Sequence, residues 1–213
     1  PHFMLKEIHE QPKAVRDTVM PRIKENEIVL DDVVLTEEYV KNIKKINIVG
    51  CGSAYHAGII GKYYIERVCR IPVETDLASE FRYRGPIADE RVLTIIISQS
   101  GETADTLAAL REAKRLKSKT LAIVNVVGSS IAREADNVLY THAGPEIAVA
   151  TTKGYTTQVV SLYLIGLYLA GRLDSLSLTE YKEQLDSLKA LPDNIEKLLK
   201  TPETTQYLAS LYY

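Results

Sequence analysis

Cysteine is scarce in this chain. Cys51 and Cys69 are the only two. They are too few for a disulfide framework and have no zinc-site spacing, so no metal is expected and the setting is read as reducing and cytoplasmic. Basic clusters are missing as well: 26 lysines and arginines face 28 acids, a formal charge of −2, with no lysine–arginine block. Nucleic acid is therefore excluded as a partner, because phosphate-backbone binding needs a clustered basic face. Long apolar runs are also lacking. The start, PHFMLKEIHEQ, is polar and unlike a signal peptide, and VVSLYLIGLYLAG (159–171) is shorter than the ~20 residues that cross a bilayer. No membrane partner is expected, and 159–171 reads as buried helix. Two nucleotide motifs fail too. Gly50 and Gly52 are followed by Tyr55 where a dinucleotide fingerprint needs its third glycine, and no GxxxxGKS or GxxxxGKT occurs. No cofactor is expected.

A chain of 213 residues suffices for one well-filled domain with flanking helices. Residues 1–44 read as a helical lead-in segment, with Met4, Ile8, Val15 and Val19 near helical spacing and Pro12 and Pro21 as interruptions. TEEYVKNIK (36–44) is a second helix there, with Thr36 as its N-cap. The period then changes. KINIVGCG, IPVETDLAS, RVLTIIISQS, KTLAIVNVVGSS and NVLYTHAG are short apolar strands, and helical stretches follow or separate them. Strands alternating with helices predict an α/β fold, a parallel five-stranded sheet covered on both faces. That unit is assigned to 45–174. Residues 175–213 form a more charged helical tail with Leu178, Leu185, Leu188 and Leu191 as its apolar stripe. The chain starts at proline and stops at SLYY, and is read as a piece of a longer protein.

In an open parallel sheet, ligands lie beyond the C-terminal strand ends. Three such ends are unusual: GCGSA (50–54), SQSGET (98–103) and NVVGSS (125–130); a fourth loop, AGPEIAVATTKGYTT (143–157), leads into the last helix of the sheet unit. Glycine lets backbone N–H groups approach a ligand, hydroxyls add short donors, and a helix start adds free N–H groups and its positive dipole end. That combination suits a phosphate without calling on cations. Glu102 would repel a dianion, so its carboxylate is expected to point away. The bland alternative, that these residues only form turns and caps, weakens when several such loops share one sheet edge. His56 and His142 read as structural hydrogen-bonding residues. Cys51 is either a reactive thiolate or a packed side chain, and Lys153 either a phosphate partner or a surface residue. Arg82 and Arg84 are expected to pair with Glu80 or with another chain.

Five stretches carry a resemblance: CGSAYHAG, ASEFRYR, SQSGETADTLAALREAK, VNVVGSSIAREAD and GPEIAVATTKGYTTQ. Together, in order and across almost the whole chain, they resemble the first sugar isomerase (SIS) domain of the glutamine–fructose-6-phosphate aminotransferase family, whose members make glucosamine 6-phosphate. PHFMLKEIHEQP resembles the segment that enters the isomerase half of that family. The resemblance implies a three-layer αβα sandwich, flavodoxin-like, and a role in holding fructose 6-phosphate or glucosamine 6-phosphate. It implies that Ser98, Gln99, Ser100 and Thr103 grip the phosphate, with Gly52, Ser53, Val149 and Thr151 along the sugar. Ser53 stands where the family usually has threonine, Ala54 where serine is frequent, and VATT where VAST is usual. A homodimer is implied as well. No catalytic residue is expected in this chain. The family's glutaminase cysteine belongs to a preceding domain; its proton-transferring glutamate, ring-opening histidine and substrate lysine belong to following segments. Two other readings stand beside this one: a sugar-phosphate-sensing module of a regulator, and a stand-alone phosphosugar isomerase.

Overall fold

Two short helices open the chain, α1 (Phe3–His9) and α2 (Gln11–Val19), with Glu10 between them. Pro12 sits in the first turn of α2, where its missing N–H costs no helical bond. Pro21 lies in a single 3-10 turn, Met20–Arg22. Next comes a hairpin, β1 (Ile23–Lys24) and β2 (Glu27–Ile28), turning through Glu25 and Asn26 at φ 51° and 67°. Two consecutive left-handed residues are the signature of a tight I′ turn, and asparagine tolerates that conformation well. The computed structural model describes residues 2–30 and 32–212. Helix α3 (Glu37–Asn42) follows, and its Tyr39 N–H donates to Thr36 Oγ1 at 3.2 Å, as a capping threonine should.

From Lys45 onward strands and helices alternate: β3 (Lys45–Gly50), α4 (Ser53–Cys69), β4 (Val73–Leu77), α5 (Ala78–Phe81), β5 (Val92–Ser98), α6 (Ala104–Arg115), β6 (Lys119–Val124), α7 (Ser130–Glu134), β7 (Asn137–Tyr140), α8 (Lys153–Leu173), α9 (Leu178–Leu199) and α10 (Glu203–Tyr212). The five long strands form one parallel sheet in the order β4-β3-β5-β6-β7. The chain moves outward from β3 to β4, then returns across to β5. The neighbours β3 and β5, paired from Lys45↔Val92 to Val49↔Ile96, therefore flank the switch point where open α/β sheets bind ligands.

Successive side chains of a strand point to opposite faces, and both faces here are buried. Ile46, Ile48, Ile95, Ile97, Leu121 and Ile123 join a core with α4 and α8, while Val49, Ile96, Ala122 and Val124 join another with Phe81, Leu110 and Ile131. This is the three-layer sandwich expected. The apolar segment 159–171 is the buried body of α8; each fully buried leucine or isoleucine there contributes roughly 1.5–3 kcal/mol. Helices α4 and α8 pack closely, since a Cβ on Gly61 would lie 2.6 Å from Leu162. No helix among the described residues is long and apolar enough to cross a membrane.

The tail differs in one respect from its sequence reading. Leu185 and Leu188 are buried and Leu191 half-buried, but Leu178 is 92% exposed. The packed stripe begins a turn later, at Tyr181; Leu178 is the first residue of α9, beside the Ser177–Glu180 capping box. Helix α10 buries nothing.

Candidate functional site

Strand β5 ends in a tight turn built by its own hydroxyls. Ser98, 4% exposed, accepts the Gly101 N–H on Oγ at 3.0 Å and shares a 3.0 Å hydrogen bond with Thr103 Oγ1. Ser100 Oγ accepts the Glu102 N–H at 3.2 Å. Gly101 closes the turn at φ +66°, and a Cβ there would stand 2.1 Å from Ser129 Oγ, so only glycine fits. Thr103 is the N-cap of α6 but makes no side-chain cap bond; its hydroxyl pairs with Ser98 instead. The first-turn N–H groups of α6 are thus left for a ligand, together with the positive end of the helix.

The proton count favours an anion. Ser100 Oγ accepts, so its own O–H remains free to donate. Of the Ser98–Thr103 pair one hydroxyl donates to the other, leaving the second proton free. Glu102 points away, as the sequence required: its carboxylate accepts the Ser130 N–H at 2.7 Å, at the start of α7. That hydrogen bond holds the Glu102 carboxyl below the usual glutamate range.

These groups face a cavity of about 290 Å³. Ser53, Ser98, Gln99, Ser100, Thr103, Val149 and Thr151 all line it. Gly52 does not; at φ +55° it turns the chain into α4. No lysine or arginine lines the wall, among the described residues. Glu146 does, but it is engaged: one oxygen takes the Thr152 and Gly154 N–H groups at 2.8 and 3.0 Å, and the other takes the Thr151 hydroxyl at 2.9 Å. Glu146 thereby occupies the N-terminus of α8 and leaves that of α6 open.

Thr106, Glu146 and Gln158 also line the cavity and were missed in the sequence. Thr106 and Gln158 sit on helix faces that read as core, and only 1% and 4% of each is exposed. Gln158 nevertheless carries a signal in three dimensions: its buried side-chain oxygen has no hydrogen-bond partner. The NVVGSS loop supports the site without lining it. Asn125 donates to Gly144 O at 2.8 Å and accepts from Thr141 Oγ1 and Ala143 N, pinning the fourth loop.

Several other expectations are corrected. Lys153 is neither a surface residue nor part of the cavity wall; it is 3% exposed and its Nζ lies 2.7 Å from Glu10. Arg84 pairs with Asp76 and Glu74, not Glu80, because strand β4 presents both acids beside it. Arg82 lies over the Tyr83 ring, 4.5 Å from its centroid. Cys51 lines the cavity and is half-buried, whereas Cys69 is buried and its thiol is pushed up to about 12. His56 stacks edge-on to Tyr55, and burial, with Arg22 nearby, lowers the pKa of His142.

The SIS domain family model matches residues 39–168. The chain is 60% identical over its full length to a glutamine–fructose-6-phosphate aminotransferase (isomerizing) of Caldanaerobacter subterraneus subsp. tengcongensis, covering 35% of that protein. It is 56% identical over 210 residues to the protein of the same name from Clostridium tetani, covering 98% of this chain and 34% of the relative. The chain thus spans about a third of the length of the curated relatives it matches. Among solved structures, the C-terminal domain of glucosamine-fructose-6-phosphate aminotransferase from Francisella tularensis shares the fold with a TM-score of 0.84 at 41% identity, over 90% of this chain and 54% of that one.

Proposed function

This chain belongs to the SIS domain family, and on that premise we propose that it is the phosphosugar-binding domain of a glutamine–fructose-6-phosphate aminotransferase. Its cavity takes fructose 6-phosphate or glucosamine 6-phosphate, and the complete enzyme transfers the amide nitrogen of glutamine to the sugar. The observation that carries this reading is the loop from Ser98 to Thr103. It brings two free hydroxyl protons and an open helix start to one end of the cavity, with the nearest carboxylate turned outward. The phosphate sits there, and the carbon chain runs along Ser53, Val149 and Thr151.

The same geometry argues for binding without turnover. Aldose–ketose isomerisation needs a base within about 3 Å of a carbon-bound proton. Glu146 is the carboxylate on the wall, and both of its oxygens are held by the Thr151–Gly154 donors. The base, and the cysteine that releases ammonia, are assigned to other parts of the enzyme. We assign 45–174 as the sugar-phosphate unit, with 1–44 leading in and 175–213 leading out. Free Cys51 and Cys69 fit a reducing cytoplasm, and the exposed Val126, Val127 and Ile147 in the loops that follow β6 and β7 fit a homodimer, which light scattering tests.

The experiment is calorimetry with the double substitution Ser100→Ala, Thr103→Ala. Each charge-assisted hydrogen bond contributes roughly 1.5–3 kcal/mol, so affinity for hexose 6-phosphates should fall at least about tenfold. Unchanged affinity removes the reading. Isomerisation of a sugar phosphate by the purified 213 residues would favour a stand-alone isomerase instead.

A further inference from the structure

The residues from Thr141 to Thr152 form neither helix nor strand, yet they bring Glu146, Ala148, Val149 and Thr151 to the cavity. A twelve-residue segment without regular structure, inside a packed domain, needs an external support. That support is the N-terminal pair of helices, which lies outside the 39–168 family match. Glu7 accepts the Ile147 N–H at 2.7 Å and the Ala148 N–H at 3.3 Å. Glu10 holds Lys153 at 2.7 Å, and Gln11 Oε1 accepts the Thr156 hydroxyl at 2.6 Å. Further along, the Thr18 hydroxyl donates to Thr141 O and Arg22 donates to Tyr140 O. Each turn of the strap holds one point on the loop or its flanks.

Helix α1 docks in an unusual way. Its apolar residues Phe3, Met4 and Leu5 are 57%, 43% and 54% exposed, and the one side chain it buries is the Glu7 carboxylate, 3% exposed. Seven residues are far too few for a helix to persist by itself. Buried carboxylates are tolerated only when hydrogen-bonded, and the partners of this one are loop amides. Docking of α1 and the placing of Ile147 and Ala148 are therefore one event seen from two sides.

We propose that Glu7 is a positioning residue for the ligand cavity: by fixing the Ile147 and Ala148 amides it sets the sugar-facing wall, and so couples sugar-phosphate affinity to the docking of α1. The coupling to affinity rests on the sugar-phosphate reading above; the fixing of the loop does not. Linkage requires the effect to be reciprocal.

The test uses the whole 213-residue chain with Glu7→Ala and Glu7→Gln. In ligand-free protein, hydrogen exchange at the Ile147 and Ala148 amides should accelerate in Glu7→Ala while Ile95 and Ile96 in the central strand keep their protection. Fructose 6-phosphate should bind about fivefold or more weakly, whereas inorganic phosphate, which reaches only the Ser98–Thr103 end, should change less than about twofold. Glu7→Gln, which retains an acceptor oxygen, should lie between. In the unsubstituted protein, fructose 6-phosphate should slow exchange across α1. The proposal is overturned if exchange at 147–148 is unmoved, if both ligands weaken equally, or if α1 ignores the ligand. An unsubstituted chain that binds no fructose 6-phosphate removes the sugar-phosphate reading and the coupling with it, and the exchange measurement alone then decides whether Glu7 fixes the loop.

Discussion

The two walls of the cavity are held together in opposite ways. In the β5–α6 wall, the side-chain bonds within the turn join residues two to five positions apart: Ser100 with Glu102, Ser98 with Gly101 and Thr103. In the facing wall, the loop before α8 and the first turn of that helix are gripped by residues 140 to 145 positions away: Glu7 on the loop, Glu10 and Gln11 on the helix. A local turn forms as soon as its strand is in place, while a remote clamp forms only after two distant segments have met and the entropy of closing the loop is overcome. The first wall should answer chiefly to its own residues and to the β6–α7 loop it rests on, through the Asn125 N–H to Gln99 O and the Ile131 N–H to Gly101 O. The second should answer to residues that never approach the ligand.

The largest expected effect breaks the local wall. Gly101→Ala places a side chain at φ +66° and 2.1 Å from Ser129 Oγ. Backbone strain costs of the order of 1–3 kcal/mol and the clash adds roughly 1–3 more. Melting should fall by about 2–4 °C for each kcal/mol in a chain of this size. Phosphate affinity should fall more than about tenfold, since the turn aims both free hydroxyls. Adding Ser129→Gly should return the steric part and leave the backbone part. If Gly101→Ala melted and bound like the unsubstituted chain, the turn would not be rigid and the contrast between the walls would be lost.

A smaller effect, about 1–3 kcal/mol, tests the remote wall through Lys153 and Glu10. The lysine side chain is 4% exposed and the glutamate 33%. Glu10→Ala strands a buried ammonium, whereas Lys153→Met leaves a carboxylate that water can reach, so the glutamate substitution should destabilise more. The hydrogen bond from Lys153 chiefly holds the Glu10 carboxyl below the usual glutamate range. A carboxyl with its pKa depressed on folding stabilises fully above its unfolded value, and that stabilisation is lost as pH falls from there through the folded value. Melts recorded at neutral pH and below about pH 4 should show a larger acid loss in the unsubstituted chain than in Lys153→Met. Equal losses would mean that the pair does not hold the loop.

The same contrast decides what could be read without coordinates. The five strands were legible because each is a short run of four to seven residues bounded by a break in period, three of them largely apolar and the edge strand β4 alternating with Glu74 and Asp76. The switch-point cradle was legible because Ser98, Ser100, Gly101 and Thr103 act on one another within a single turn. The Thr36 cap was legible for the same reason. Lys153, Arg84 and Glu7 were not, since each is defined by a partner that sequence distance hides: Glu10, Asp76, and the amides of Ile147 and Ala148. The β1–β2 hairpin was invisible because two-residue strands carry no period. Gln158 was hidden by its helix, where a polar residue between Thr157 and Val159 gives no sign of the space in front of it.

Glu102 supplies the smallest effect and the sharpest test of the local wall. It lies between Ser100 and Thr103 yet sends its carboxylate to the Ser130 N–H, a hydrogen bond that lowers the pKa of a group already ionised at neutral pH. Glu102→Ala removes a full negative charge from the loop that would hold a dianion. Were the carboxylate turned toward the cavity, this change would raise phosphate affinity steeply, and most at low salt, where charges are least screened. Turned outward into solvent, it should alter affinity by less than about twofold at physiological ionic strength, with a small loss of stability as α7 gives up its cap. A steep, salt-dependent gain in phosphate affinity would show that the local wall carries a repulsive charge after all, and that its selectivity depends on more than hydroxyls and amides.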